Sequence, residues 1–271
     1  MRWIWLVALG LGCGARGAQN IDPTPPWATE RGRVQANTAL ATALLDSGNP
    51  EAALRLIGKM TERGAKTPEL QVIQGKAMAQ LGLVDDAETV LTQVARRHPG
   101  QSEAHNQLGI LLMDARRVEE AIVRFRAATR AAPRDGNAQN NLGFALMAGG
   151  RYEEAIKVLR KALTLGGSQA RIRNNLGFAL VATKRDTAAF RVFRASVDPA
   201  TAHTNLALAQ ELRGDLDAAT ASYGRALAAN PDHAAAKDAL QRLQAPPANE
   251  NTTPQDKRNT SEVLSPPMEK R

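Results

Sequence analysis

The sequence predicts an all-α chain built as a solenoid of stacked helical hairpins, and three observations carry that prediction. Small residues recur with a period of 34: Ala53, Ala87, Ala121, Ala155 and Ala189, with Ala219 following after 30. Turn residues keep phases of their own, Gly48, Gly82, Gly150 and Gly214 in one series and Pro99, Pro133 and Pro231 in another. Alanine- and leucine-rich stretches with charges between them favour helices, and alternating Val, Ile and Thr tracts that would read as strands are absent. A fixed period of this length marks an architecture in which each unit buries its apolar face only against its neighbours.

Each series has a physical reason. Leu108, Leu142 and Leu176 precede Gly109, Gly143 and Gly177, and Gly75 shares the glycine phase. The glycine sits on the first helix of a hairpin and lets the second approach closely, with the periodic alanine as the facing small residue. Four positions after each alanine comes a large apolar residue on the same helix face: Ile57, Leu91, Phe125, Leu159, Phe193 and Tyr223. The mid-repeat glycine suits a helix-ending turn with left-handed backbone. The late proline stops the second helix.

These phased positions resemble the tetratricopeptide repeat (TPR), most closely over residues 102–169, with Asn140-Asn141-Leu142-Gly143 and Tyr152-Glu153-Glu154-Ala155-Ile156. The resemblance implies a right-handed α-solenoid of about six helix-turn-helix repeats. They are expected at 34–67, 68–101, 102–135, 136–169, 170–199 and 200–233. The first is degenerate. In the fourth, Gly166-Gly167 replaces the late proline, and the fifth lacks four residues and ends on Asp198-Pro199, a cap and start for the next helix. A capping helix is expected over 234–245, with Ala235, Ala236, Ala239, Leu240 and Leu243 facing the last repeat. Residues 246–271, with Pro246-Pro247 and few apolar side chains, are expected to be disordered.

Residues 1–18 read as a leader. Met1-Arg2 gives a positive start, and Trp3 to Leu11 an apolar run of nine residues. That is too short for a membrane span, which needs about 20 residues, but it suits a secretory signal. Cys13, the only cysteine, follows Leu9-Gly10-Leu11-Gly12, which resembles a bacterial lipobox with leucine one step early. Two readings stand: lipidation at Cys13, or an ordinary signal cut after Gly17 or Ala18 with Cys13 discarded. With Gly14 in the second mature position, the resemblance implies an exported outer-membrane lipoprotein facing the periplasm. Residues 19–33, with Pro23, Pro25 and Pro26, are expected to form an extended tether.

The formal charge of +8 raises the question of nucleic acid. The basic residues have acidic neighbours, as in Arg116-Arg117-Val118-Glu119-Glu120, and no basic run interleaves with aromatics, which make up only 4% of the chain. A salt-bridged helix surface is the expectation, with no nucleic-acid partner. His98, His105, His203 and His233 lack metal-ligand or triad spacing, and Glu119-Glu120 and Glu153-Glu154 suit helix starts. The expectation is a non-enzymatic chain with no cofactor, no metal and no small-molecule substrate.

In TPR proteins the first helices line a concave groove, and the resemblance implies the same here. One row is Asn106, Asn140, Asn174 and Thr204, and beside it lies Gln107, Asn141, Asn175 and Asn205. One turn on come Ile110, Phe144, Phe178 and Leu208, then Met113, Met147, Val181 and Glu211. Amides donate and accept, so such a row can hold the backbone of an extended peptide. Phe144, Phe178, Met113 and Met147 would form apolar pockets, with Arg171 and Arg173 near an acidic group. The alternative is that the amides bond to the neighbouring helix and the phenylalanines belong to the core. If the amides serve a ligand, Asn141→Ala with Asn175→Ala weakens binding and leaves the melting temperature unchanged.

The order of leader, repeats and two successive Asn-Asn-Leu-Gly-Phe-Ala-Leu segments (140–146 and 174–180) resembles the TPR lipoprotein of tight-adherence (Tad/Flp) pilus assembly. That resemblance implies a membrane-anchored assembly factor whose partners are proteins or extended segments of a pilus or secretion system. The alternative is a general periplasmic scaffold for envelope or peptidoglycan enzymes.

Overall fold

The computed structural model describes residues 29–244, and these form thirteen helices with no strand among them. Six hairpins follow in order: α1 Glu30–Asp46 with α2 Pro50–Glu62, α3 Pro68–Gln80 with α4 Val84–Arg97, and α5 Ser102–Asp114 with α6 Val118–Ala131. Then come α7 Gly136–Ala148 with α8 Tyr152–Leu165, α9 Gln169–Ala182 with α10 Asp186–Arg194, and α11 Pro199–Leu212 with α12 Leu216–Ala229. Helix α13, Ala234–Gln244, packs on the last hairpin. The leader with Cys13 and the expected disordered tail lie outside the described residues.

Two details differ from expectation. Helix α1 begins at Glu30, inside the segment read as tether, because Thr29 caps it by accepting a hydrogen bond from the Gly32 amide at 3.0 Å. In α13, Ala236 and Ala239 are buried and Leu240 and Leu243 pack beside them, but Ala235 is exposed, one helix position off the buried stripe.

The hairpin turns share one geometry. The second residue after each first helix sits in the left-handed region, and the next amide donates back five residues, as from Leu83 to Met78 O (2.9 Å) and from Arg151 to Leu146 O (2.8 Å). Glycine takes the left-handed position at Gly48, Gly82, Gly150 and Gly214. Arg116 (φ 60°) and Lys184 (φ 61°) take it in the third and fifth repeats, at the same phase. A side chain costs roughly 1–2 kcal/mol in this conformation, partly offset by glycine's larger entropy loss on folding. Arg116→Gly and Lys184→Gly are each expected to raise stability by about 0.5–1 kcal/mol in denaturant unfolding, and a loss of stability would refute the reasoning.

Inside the second to fifth hairpins the glycine phase makes room for the large apolar residue itself, rather than only for the facing alanine; the first and sixth carry Ala41 and Ala207 there. A Cβ on Gly75 would lie 2.6 Å from Leu91 Cγ, and one on Gly109 would lie 2.5 Å from the Phe125 ring. Gly143 and Gly177 stand in the same relation to Leu159 and Phe193. The periodic alanines are fully buried, and so are Leu91, Phe125 and Leu159.

First helices of successive repeats touch one another, α1 with α3 and onward to α9 with α11, whereas second helices make at most marginal contact with one another. Close approach on one side and splaying on the other put the first helices on the inner face of the stack. None of the described helices is long and apolar enough to cross a membrane.

Candidate functional site: the inner face of the first helices

The inner face runs along α5, α7, α9 and α11, and the structure sorts its expected residues into two groups. Gln107, Asn140, Asn141 and Asn175 are buried, while Asn106, Phe144, Met147, Arg171, Asn174, Phe178 and Asn205 are half-buried and reach the surface.

The buried amides form a ladder between repeats. Asn141 Nδ2 donates to Asn106 Oδ1 at 2.9 Å, and Asn175 Nδ2 donates to Asn140 Oδ1 at 2.9 Å. Each bond joins residues 35 apart, one repeat plus one position, so it links the two amide rows across a repeat interface. Removing a buried partner leaves an unpaired amide at a cost of about 1–3 kcal/mol. Asn141→Ala and Asn175→Ala are therefore each expected to lower the melting temperature, as the alternative of amides bonded to the neighbouring helix requires. An unshifted melt for both would return the row to the ligand.

The apolar row divides as well. Phe178 meets the Phe193 ring edge-on, with centroids 5.9 Å apart and planes at 84°, and so belongs partly to the core. Met113 and Met147 pack their inner ends on the same core. Phe144 stands apart from the core clusters at the middle of the inner face. Towards the N-terminal end, Gln107 Nε2 donates to Glu103 Oε1 at 2.8 Å, and the buried Lys76 ammonium lies 3.7 Å from the same oxygen. Desolvation raises the Glu103 pKa, against the pull of Gln107 and Lys76. Arg171 and Arg173 both lie on α9, and Arg173 makes a long contact of 3.4 Å with Ser196 Oγ.

Two features escaped the sequence reading. On the outer face, Arg117, Arg151 and Arg185 start successive second helices and reach back to the preceding one. Arg117 meets Glu88 (2.9 Å), Arg151 meets Glu119 (3.6 Å) and Arg185 meets Glu153 (2.7 Å). Their 34-residue spacing was the available signal. These pairs lie at the surface and each contributes on the order of 0.2–1 kcal/mol. At the shortened fifth repeat, Asp186 accepts from Arg213 (2.6 and 3.1 Å) and from Gln210 (2.5 Å), and Gln210 in turn accepts from the buried Ser222 hydroxyl at 2.7 Å.

The histidines pack rather than gather. The His203 ring stacks on Phe190 with centroids 4.2 Å apart, and His105 Nε2 lies 3.3 Å from the Pro99 carbonyl. No group of His, Cys, Asp and Glu among the described residues is placed to hold a metal. Burial pushes the pKa values of His105 and His203 below the ordinary 6.5, against the raising effect of the Pro99 carbonyl on His105. Below pH 6.5 the unfolded chain takes up protons that these rings resist in the folded state, so stability falls with pH through that window. The melting temperature is expected to be flat from pH 8 to about 7 and to fall below about 6.5. His105→Gln should reduce that fall, and an identical profile in the variant would count against it.

Family models described as tetratricopeptide repeat match residues 38–102, 74–124 and 106–170, and a further one matches 200–233, together more than half the chain. The stretch between the two regions holds the shortened fifth repeat. No curated protein matches. Among solved structures, a MamA fragment from Desulfovibrio magneticus RS-1 is 26% identical, with 60% of this chain and 93% of that one covered and a TM-score of 0.51. PilF of Pseudomonas aeruginosa is 17% identical over 77% and 97%, with a TM-score of 0.59. YrrB, described as a TPR protein with an unusual peptide-binding site, is 20% identical over 68% and 97%, with a TM-score of 0.55. For PilF and YrrB the likeness is one of fold.

Proposed function

The chain belongs to the tetratricopeptide repeat family, whose members act as protein-interaction scaffolds, and on that premise we propose that it holds an extended protein segment along its inner face. The observation that carries this reading is Phe144, a large aromatic outside the core clusters in the middle of that face, with Met147 one turn on along α7 and Met113 at the same phase of the preceding repeat. A half-exposed aromatic flanked by adaptable methionines gives a partner side chain a place to bury apolar area. The amide ladder fixes the register of the helices beneath it.

The leader supports the cellular half of the proposal. Residues 1–11, read as a secretory signal, support export, and the likeness of residues 9–13 to a lipobox favours lipidation at Cys13 and an outer-membrane lipoprotein facing the periplasm over a signal cut after Gly17 or Ala18. The resemblance to the Tad/Flp pilus lipoprotein adds the role of an assembly factor for a pilus or secretion system. In use, the lipid would hold the solenoid at the membrane and the inner face would present a component to its site of assembly.

The test is a mild-detergent pull-down of the full chain from its native host, beside a Cys13→Ser version, with bound proteins identified by mass spectrometry. Pilus or secretion components that are lost or reduced with Cys13→Ser are the expected result. Cell-wall enzymes instead would favour the general periplasmic scaffold, and the same partners regardless of Cys13 would remove the anchor from the mechanism.

A further inference from the structure

Between α3, α4 and α5, beside the N-terminal part of the inner face, lies a cavity of about 250 Å³ whose apolar wall is Ala79, Val84, Leu91, Ile110 and Leu111. An apolar void of roughly 150 Å³ already takes up benzene, so this one is large enough for a side chain. Its origin is legible in the repeat phases. Ala79 stands where the next repeats carry Met113, Met147 and Val181, and Leu91 where the next carries Phe125. In the third and fourth repeats the long methionines pack down on the core. In the second repeat the row is cut back to a methyl group, and the large residue of the hairpin is a leucine.

Four polar side chains also line the cavity, Lys76, Gln80, Gln107 and Asp114, and the first and third of them are held by Glu103 just outside it. Lys76 is only 8% exposed, and its ammonium faces Glu103, which also accepts from Gln107. The cation in the wall is thus neutralised by the chain itself. Asp114 stays exposed on the rim. Against five apolar residues a charged guest would give up hydration, with only Asp114 at the edge to offset a cation and nothing to offset an anion, whereas a neutral apolar guest replaces water on apolar surface. Ile110 belongs both to the cavity wall and to the row that continues as Phe144 and Phe178, so the cavity adjoins the inner face.

We infer that this slot is a side-chain pocket for a neutral aliphatic residue, methionine or leucine, of an extended partner segment lying on the inner face. The inference rests on the groove reading above and adds to it a specificity: the partner supplies the side chain that the second repeat lacks.

The experiment uses the full chain with methyl-labelled Ile, Leu and Val, titrated with N-acetyl-methionine methylamide and, as control, N-acetyl-aspartate methylamide. The methionine probe is expected to shift the Val84, Leu91, Ile110 and Leu111 methyls saturably. Its midpoint is expected on the order of 1–10 mM. The aspartate probe should shift none of them. Ala79→Met, which supplies the residue of the following repeats, should weaken the response at least about tenfold and leave the melting temperature equal or higher. Ala79→Val, a smaller intrusion, should weaken it severalfold and covers the case in which the methionine variant does not fold. No saturable shift, or the same shift in both variants, overturns the pocket. A peptide selected for the inner face that binds Ala79→Met as tightly as the parent also overturns it and leaves the groove standing. Failure to select any peptide strikes the groove reading, while the methyl shifts report on the slot alone.

Discussion

Replacing Gly136 with alanine is expected to lower stability by about 3 kcal/mol, the upper part of what overpacking costs. Gly136 opens α7, and a Cβ there would fall inside contact distance of the Gly166 carbonyl oxygen and 3.3 Å from the Ala162 carbonyl oxygen. Both are backbone atoms, so no rotamer change relieves the overlap. The loop cannot retreat easily either. Gly166 holds φ 89° and ψ −166°, a conformation essentially limited to glycine, and Asn137 Oδ1 accepts from the Ser168 amide at 3.3 Å. The helix-propensity gain of alanine over glycine, about 1 kcal/mol, offsets only part of the loss. Gly58 and Gly224, in α2 and α12, are the controls, since a Cβ at either meets nothing within 4 Å. Alanine there should raise stability by up to about 1 kcal/mol. Hydrogen exchange across α7 to α9 gives the local reading that a repeat array requires. If Gly136→Ala behaves like Gly224→Ala, the junction between the fourth and fifth repeats is not packed as described.

Asp186→Ala is expected to cost about 2–3 kcal/mol, centred on the boundary between the fifth and sixth repeats. The fifth repeat has a second helix of only 9 residues, against 13 or 14 in the others, so it offers less apolar surface to its successor. The Asp186 network lies across that boundary, with Arg213 also donating to the Val181 carbonyl at 2.7 Å. Removing the carboxylate takes two hydrogen bonds from a guanidinium whose side chain is only 17% exposed, leaving it Asp215 and the Val181 carbonyl, and it unpairs the amide nitrogen of the buried Gln210. Burial acts to raise the Asp186 pKa, but the hydrogen bonds from Arg213 and Gln210 outweigh it and hold the carboxyl below its ordinary value of 3.8. This contribution is accordingly present above about pH 4 and is lost as pH falls through the depressed folded-state pKa. Faster exchange confined to α10, α11 and α12 is the expected signature. Exchange unchanged there, or raised equally along the whole solenoid, would deny the network its role.

The architecture was readable in the sequence because period and phase carry it. Once Gly109 and Phe125 share a repeat, their contact follows from the hairpin alone. The amide rows were readable as rows, yet not as a ladder. The bond from Asn175 to Asn140 connects two rows across a repeat interface, and that offset is set by how one hairpin stacks on the next. Arg116 and Lys184 could have been found at the left-handed position by adding 34 to Gly82 and Gly150, but residue type pointed away from a glycine-favouring conformation. The Asp186 network could not have been read at all. It depends on where the shortened fifth repeat places α10 against α11, and a four-residue deletion does not state that. The slot beside Ala79 is intermediate: the small residue is visible in its row, but the empty volume needs the facing helix.

The central claim, that an extended segment is held on the inner face around Phe144, is tested most directly by peptide selection. A displayed library of random peptides is panned on the full chain, and each recovered sequence is measured against the parent and Phe144→Ala by calorimetry. The account predicts peptides rich in aliphatic residues that lose about tenfold or more in affinity with Phe144→Ala, a change of about 1.4 kcal/mol. Because Phe144 stands outside the core clusters, the melting temperature should shift by no more than a few degrees. Recovered peptides that bind Phe144→Ala as tightly as the parent, or a library that yields no binder, would contradict it.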